Sequence, residues 1–166
     1  MTIGDIRKNT ILPFEVDDLK LRKLFSFFLH SAPTIESSTA IAIPKDRLLC
    51  NWENFLSNHT LRCNEIMSPN VVFSNALEKY RFCDSADVSR TTSGFLCKRK
   101  QNAKEMDCEV LLRHLRNSIA HNYVYIANTS NRVYILFIDY NKSKNQNARI
   151  LFSRSDLQDL RKTIKA

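Results

Sequence analysis

Hydrophobic positions recur at helical spacing through the first two-thirds of the chain and then change register. Phe14, Leu21, Leu24, Phe25 and Phe28 follow Pro13 at intervals of a helical stripe. Phe27 and Leu29 widen that stripe until the helix end is apolar nearly all round, so it must be covered from within the chain or by a second copy. Residues 31–44 lie between prolines and are rich in Ser and Thr, which reads as a connection held down by Ile41 and Ile43. Asp46 then offers a cap to a helix with Leu48, Leu49, Trp52, Phe55, Leu56 and His59 on one face. Its pattern extends through Cys63, Ile66 and Met67 to a stop at Pro69. A third helix starts at Ser68 or Asn70, carries Phe73, Ala76, Leu77 and Tyr80, and ends near Asp84. Residues 84–100 lose periodicity and end in Lys98-Arg99-Lys100, a long basic loop by this reading. Residues 1–12 read as a flexible tail.

The strongest helical pattern spans residues 103–121, with Cys108, Leu111, Leu112, Leu115 and Ile119 as its stripe. Beyond it the period drops to two. Tyr123 to Ile126, Val133 to Tyr140 and Ala148 to Phe152 are β-branched and aromatic, separated by polar turns, and predict a three-strand meander. The middle strand is apolar on both faces, so it needs cover on both. Ser153 or Ser155 caps a last helix over residues 156–165, with Leu157, Leu160 and Ile164 inward; Ser155 and Gln158 fit a capping box. The expected class is α+β: a mainly helical bundle, a small antiparallel meander and a terminal helix.

Composition narrows the setting. With 166 residues, 43% hydrophobic and 25% charged, the chain suits one globular domain with one core. No apolar run approaches a membrane span and no secretory leader is visible at the N-terminus, so a cytoplasmic location is expected. Five cysteines without a C-x-x-C pair or nearby His ligands argue against a disulfide framework and a zinc site; Cys63 and Cys108 read as small buried hydrophobes. His59 lacks a second ligand at supporting spacing and reads as a hydrogen-bonded, partly buried residue. No metal and no cofactor is expected. Lys and Arg exceed Asp and Glu by 25 to 17, a formal charge of +8, which favours an anionic partner such as nucleic acid.

The end of the 103–121 helix concentrates polar groups where its stripe runs out: Arg113, His114, Arg116, Asn117 and His121. Asn117 and His121 stand four apart on one face, while Arg116 is offset by about 100° with small Ala120 above it. Imidazole moves protons near neutral pH, its unperturbed pKa being about 6.5. Guanidinium meets a phosphate by bidentate hydrogen bonds. Together they suit metal-free RNA cleavage, with a base for the 2′-hydroxyl proton and a cation for the charge on the phosphoryl oxygens. Asn117 is placed to orient the imidazole. Arg and His at a helix C-terminus also cap free carbonyls and complement the helix dipole, so a purely structural role stands beside the chemical one.

Arg116-Asn117-Ser-Ile-Ala-His121 resembles the R-x4-6-H signature of the HEPN superfamily, helical RNA-cleaving domains common in toxin, abortive-infection and anti-phage systems. His121-Asn122-Tyr123 extends it to a form similar to that of HEPN toxins silenced by a nucleotidyltransferase antitoxin that modifies this tyrosine. The resemblance implies one HEPN-like domain over residues 1–166, acting as a cytoplasmic homodimer on single-stranded RNA. Arg116 and His121 would be catalytic, Asn117 supporting, Tyr123 a modification site, and the products would end in 2′,3′-cyclic phosphates. Arg113, Lys98, Arg99 and Lys100 are candidate RNA contacts. The implied partners are RNA, a second copy and an antitoxin or nucleotidyltransferase, with no membrane. The alternative is a non-catalytic HEPN-like module that binds RNA or protein.

Overall fold

Strands that are apolar on both sides require cover on both faces, and this chain supplies it. The computed structural model describes residues 1 to 166. Six helices, α1 (Ile3–Arg7), α2 (Leu19–Ser26), α3 (Lys45–Asn58), α4 (Phe73–Lys79), α5 (Asp107–Ala120) and α6 (Arg154–Ile164), surround one sheet, and a π-helical turn (Phe27–Ser31) continues α2. The strands are β1 (Thr10–Ile11), β2 (Asn64–Met67), β3 (Gly94–Lys98), β4 (Val124–Asn128), β5 (Val133–Tyr140) and β6 (Gln146–Ser153), in the order β1-β4-β5-β6-β3-β2. All neighbours are antiparallel except β2 and β3, which are parallel and joined through α4, since parallel strands need a crossover.

Alternation along the strands divides the core in two. Phe95, Cys97, Ile135, Phe137, Ile150 and Phe152 face α2, its π turn, α3, α5 and α6. Leu96, Leu136, Ile138 and Leu151 face the opposite layer, built from Ile3 and Ile6 of α1, Phe73 and Ala76 of α4, and Phe82. The α5 stripe Cys108, Leu111, Leu112, Leu115 and Ile119 is fully buried, as its spacing predicts. The apolar helix end is covered from within the chain: Phe27 and Phe28 are buried and stack edge to face at 5.0 Å. Ile41 and Ile43 pack down on the same core.

The expected sheet is thus too small. The meander β4-β5-β6 is present, but three further strands extend it. The stretch read as the end of the second helix is β2, because that helix stops at Asn58. The stretch read as a basic loop contains β3, buried between β6 and β2. Gly94 makes this entry possible: a Cβ there would stand 2.5 Å from the Cys63 carbonyl oxygen. Residues 1–12 are no loose tail, since Ile3 and Ile6 are wholly buried and β1 pairs with β4. The third helix ends at Lys79 rather than near Asp84. Ser153, not Ser155, caps α6, its hydroxyl accepting the Asp156 N–H.

Each face of the sheet also holds a buried ionic residue. On the α5 side, His114 reaches across β6 to two strands. Its Nε2 lies 2.7 Å from the Lys98 carbonyl of β3 and its Nδ1 2.7 Å from Asp139 Oδ2 of β5. A carbonyl can only accept, so Nε2 donates, and one further proton is held between Nδ1 and the carboxylate. Ala148 of β6, opposite both Asp139 and Cys97, is small and leaves room for the ring. On the other face Arg149 is 1% exposed and donates to the Phe82 carbonyl and to Asp84 Oδ1 at 3.1 and 2.7 Å. Burial raises the Asp84 carboxyl, but Arg149 and Arg7 outweigh it and hold the group below its usual range. A depressed carboxylate contributes stability above its unfolded value near pH 4, which is lost as pH falls through the folded value.

Removing one partner of a buried ion pair costs about 3–5 kcal/mol. Asp139→Ala is therefore expected to lower the melting midpoint by on the order of 10 °C, and Asp139→Asn by less because its amide oxygen still accepts from the imidazole. A melt of Asp139→Ala within about 2 °C of the parent would show that the pair contributes nothing.

Candidate functional site

The site begins with how α5 stops. Asn122 has φ 62°, in the left-handed region that Asn tolerates better than most residues. Its N–H donates to the Ile119 carbonyl at 3.3 Å and the Tyr123 N–H to the Ser118 carbonyl at 2.9 Å. These two bonds form a Schellman motif, which satisfies the last carbonyls and turns the chain directly into β4. His121 is left as the cap residue, exposed, with its N–H on the Asn117 carbonyl at 3.0 Å.

Arg116 stands half-buried one turn earlier, and its Nε is buried with no partner. No carboxylate holds its guanidinium. Arg113 is the contrast, buried at 3% exposure with its Nε on Glu105 Oε2 at 2.9 Å and Oε1 at 3.2 Å. Arg113, a candidate RNA contact by its sequence position, is thus buried with a carboxylate on its Nε, although its Nη2, like the Arg116 Nε, has no partner. Ala120, one turn after Arg116, is exposed.

Asn117 does not orient the imidazole of His121. Its Nδ2 donates to Asp139 Oδ2 at 3.3 Å, so the side chain joins the His114 network and supports His121 only through the main chain. The sequence reading missed Asp139, although a lone acid in an otherwise apolar strand is a signal that it must be paired. Arg149, a lone cation in β6, carries the same signal.

The basic triplet divides. Arg99 is ion-paired with Asp107 and donates to the Glu105 carbonyl at 2.7 Å, which pins the turn before α5. Lys100 pairs with Glu36 at 2.8 Å. Lys98 has no carboxylate partner and is the triplet member free to meet an anion. Tyr123 precedes β4, half-buried, with its ring edge to face with Tyr140 at 4.6 Å and its hydroxyl accepting from Lys144 Nζ at 3.3 Å. His59 ends α3 with Nδ1 on the Phe55 carbonyl at 2.9 Å and Nε2 near Asp159 at 3.3 Å, a structural role.

The five cysteines are free, and burial pushes the Cys63 thiol up to about 12 and raises Cys97 and Cys108 as well, so these three stay protonated. No group of three His, Cys, Asp or Glu side chains is arranged to hold a metal ion. No helix is long and apolar enough to cross a membrane.

Comparison with curated proteins and with solved structures returns no match. The family model described as HEPN pEK499 p136 matches residues 25–166, which takes in the π turn, α3 to α6 and β2 to β6 together with the Arg116–His121 pair. The chain belongs to this family, and so to the HEPN superfamily.

Proposed function

We propose that the chain is an endoribonuclease of the HEPN type that cleaves single-stranded RNA as a homodimer, in the setting of a toxin or an anti-phage effector. One observation carries the reading: within one helix the chain neutralises Arg113 with Glu105 and leaves Arg116 without an acid, beside an exposed His121. A guanidinium kept for structure is normally paired when it is buried; one left open at a helix end is available to a phosphate.

Arg116 would bind the scissile phosphate and stabilise the charge on its oxygens. His121 would take the 2′-hydroxyl proton, and the freed oxygen would attack the adjacent phosphorus. A 2′,3′-cyclic phosphate forms, the bond to the 5′-oxygen breaks, and that oxygen leaves with a proton returned by an imidazolium. A second copy facing the same cleft supplies the second imidazole, so that one base and one acid are present together. Tyr123, its hydroxyl met by Lys144 beside the motif, is where a nucleotidyltransferase antitoxin would act.

Purified Arg116→Ala and His121→Ala should keep the parental melting midpoint and lose about 10²–10⁴-fold in cleavage of a labelled single-stranded RNA. Equal cutting by parent and both variants would sink the assignment, and binding without cutting by the parent would favour the non-catalytic module.

The helix stop is also testable. Asn122→Gly should preserve both melting and cleavage, because glycine adopts the left-handed conformation freely. Asn122→Val should cost about 1–2 kcal/mol, lower the midpoint by roughly 2–8 °C and reduce cleavage by displacing His121.

A further inference from the structure

Five strand ends meet at one end of the sheet: the starts of β4 and β6 and the ends of β5, β3 and β2. The antiparallel pairing puts them there, and it gathers residues that are far apart in the chain. Between the β5–β6 hairpin, the end of β3 and the start of α4 lies a cleft of about 460 Å³. Such a volume suits a ligand of nucleotide size.

The lining is one-sided in charge. Lys98, Lys144 and Arg7 line the cleft and no acidic side chain does. Lys98 and Lys144 have no carboxylate partner anywhere, whereas Arg7 is shared between Asp84 at 3.1 Å and the Tyr140 hydroxyl at 3.0 Å. The same lining includes an apolar patch from Val71, Val72 and Leu77, with Val72 59% exposed. Four carboxamides, Asn141, Asn145, Gln146 and Asn147, complete the rim with donors and acceptors of the kind that read base edges.

Lys144 is held at φ 66° in the hairpin turn, where glycine would be the unstrained choice. The turn is closed by the Asn141 N–H on the Asn145 carbonyl and the Lys144 N–H on the Asn141 carbonyl. A lysine in that conformation directs its Nζ over the Tyr123 ring, 5.9 Å from the centroid, and onto the Tyr123 hydroxyl. Tyr123 is two residues from His121, so the Lys144 side chain links the cleft, round the end of the sheet, to the chain that leaves the candidate catalytic end of α5.

We infer that this cleft is a binding subsite for single-stranded RNA next to the scissile bond, with Lys98 and Lys144 on backbone phosphates, and a base between Tyr140 and the Val71–Val72 patch. The inference rests on the ribonuclease reading for the identity of the strand. An acidic peptide would match the lysines but leave the apolar patch and the carboxamides without a function. A base with its phosphate uses all three.

The test is binding of a fluorescent single-stranded RNA by the full chain, measured by anisotropy across a range of salt. Lys98→Ala with Lys144→Gly is the informative variant, because Lys144→Gly removes the side chain while relieving the strained backbone, so the melting midpoint should hold or rise. Affinity should fall at least tenfold, and the slope of log K against log salt should shrink by about 1.4, at roughly 0.7 for each phosphate that is no longer neutralised. Unchanged affinity and slope in a folded variant would overturn the subsite, as would poly-glutamate competing as well as RNA. The two readings fail separately. Cleft-dependent binding with no cleavage by the parent removes the ribonuclease and keeps the subsite; Arg116-dependent cleavage with parental binding in the lysine variant does the reverse.

Discussion

The interaction on which the site depends is that of His114 with two strands at once. Its ring ties α5 to the Lys98 carbonyl of β3 and the Asp139 carboxylate of β5, across the small Ala148 of the strand between them. The buried stripe turns one face of α5 to the sheet, but apolar contact, being non-directional, fixes its height along the strands only loosely. A hydrogen-bonded imidazole between two fixed acceptors is directional. It pins the helix two residues before Arg116, and Asn117 adds a second bond to the same carboxylate.

From that placement the charges of the helix take different fates. Arg113 turns into the protein and is met by Glu105, while Arg116, offset around the helix, keeps an unpartnered Nε. Arg99 and Lys100 are likewise occupied, by Asp107 and Glu36, and Lys98 is left to the cleft on the opposite face of the sheet. The formal excess of +8 is thus an unreliable guide by itself. Which cations are free is decided by where the carboxylates fold to.

Much of the fold is legible along the chain. The α5 stripe, the α2 stripe from Leu21 to Phe28, the three meander strands and the connection held by Ile41 and Ile43 follow from period and punctuation, because each buries a regular face; Phe14, expected on the α2 stripe, lies in the turn before that helix and is exposed. β2 and β3 are not legible in the same way. Asn64 to Met67 is four residues of mixed character, and Gly94 to Lys98 follows a Ser- and Thr-rich stretch and runs into a basic triplet. Short strands buried by partners distant in sequence carry little local pattern; their identity is a property of the sheet they complete. The N-terminal segment is obscured for the same reason, since Ile3 and Ile6 acquire a partner only when the sheet has formed.

The sequence by itself placed Arg116 and His121 about one turn and a half apart at the end of one helix, with Asn122 suited to the left-handed stop that follows. It also carries the family match, which runs over residues 25–166. Only the tertiary structure decided that Asn117 serves Asp139 rather than His121, that Arg113 is enclosed, and that Lys98 and Lys144 border one cleft. Those outcomes depend on strand register and on where each carboxylate comes to lie, and no periodicity along the chain encodes which acid a given base will meet.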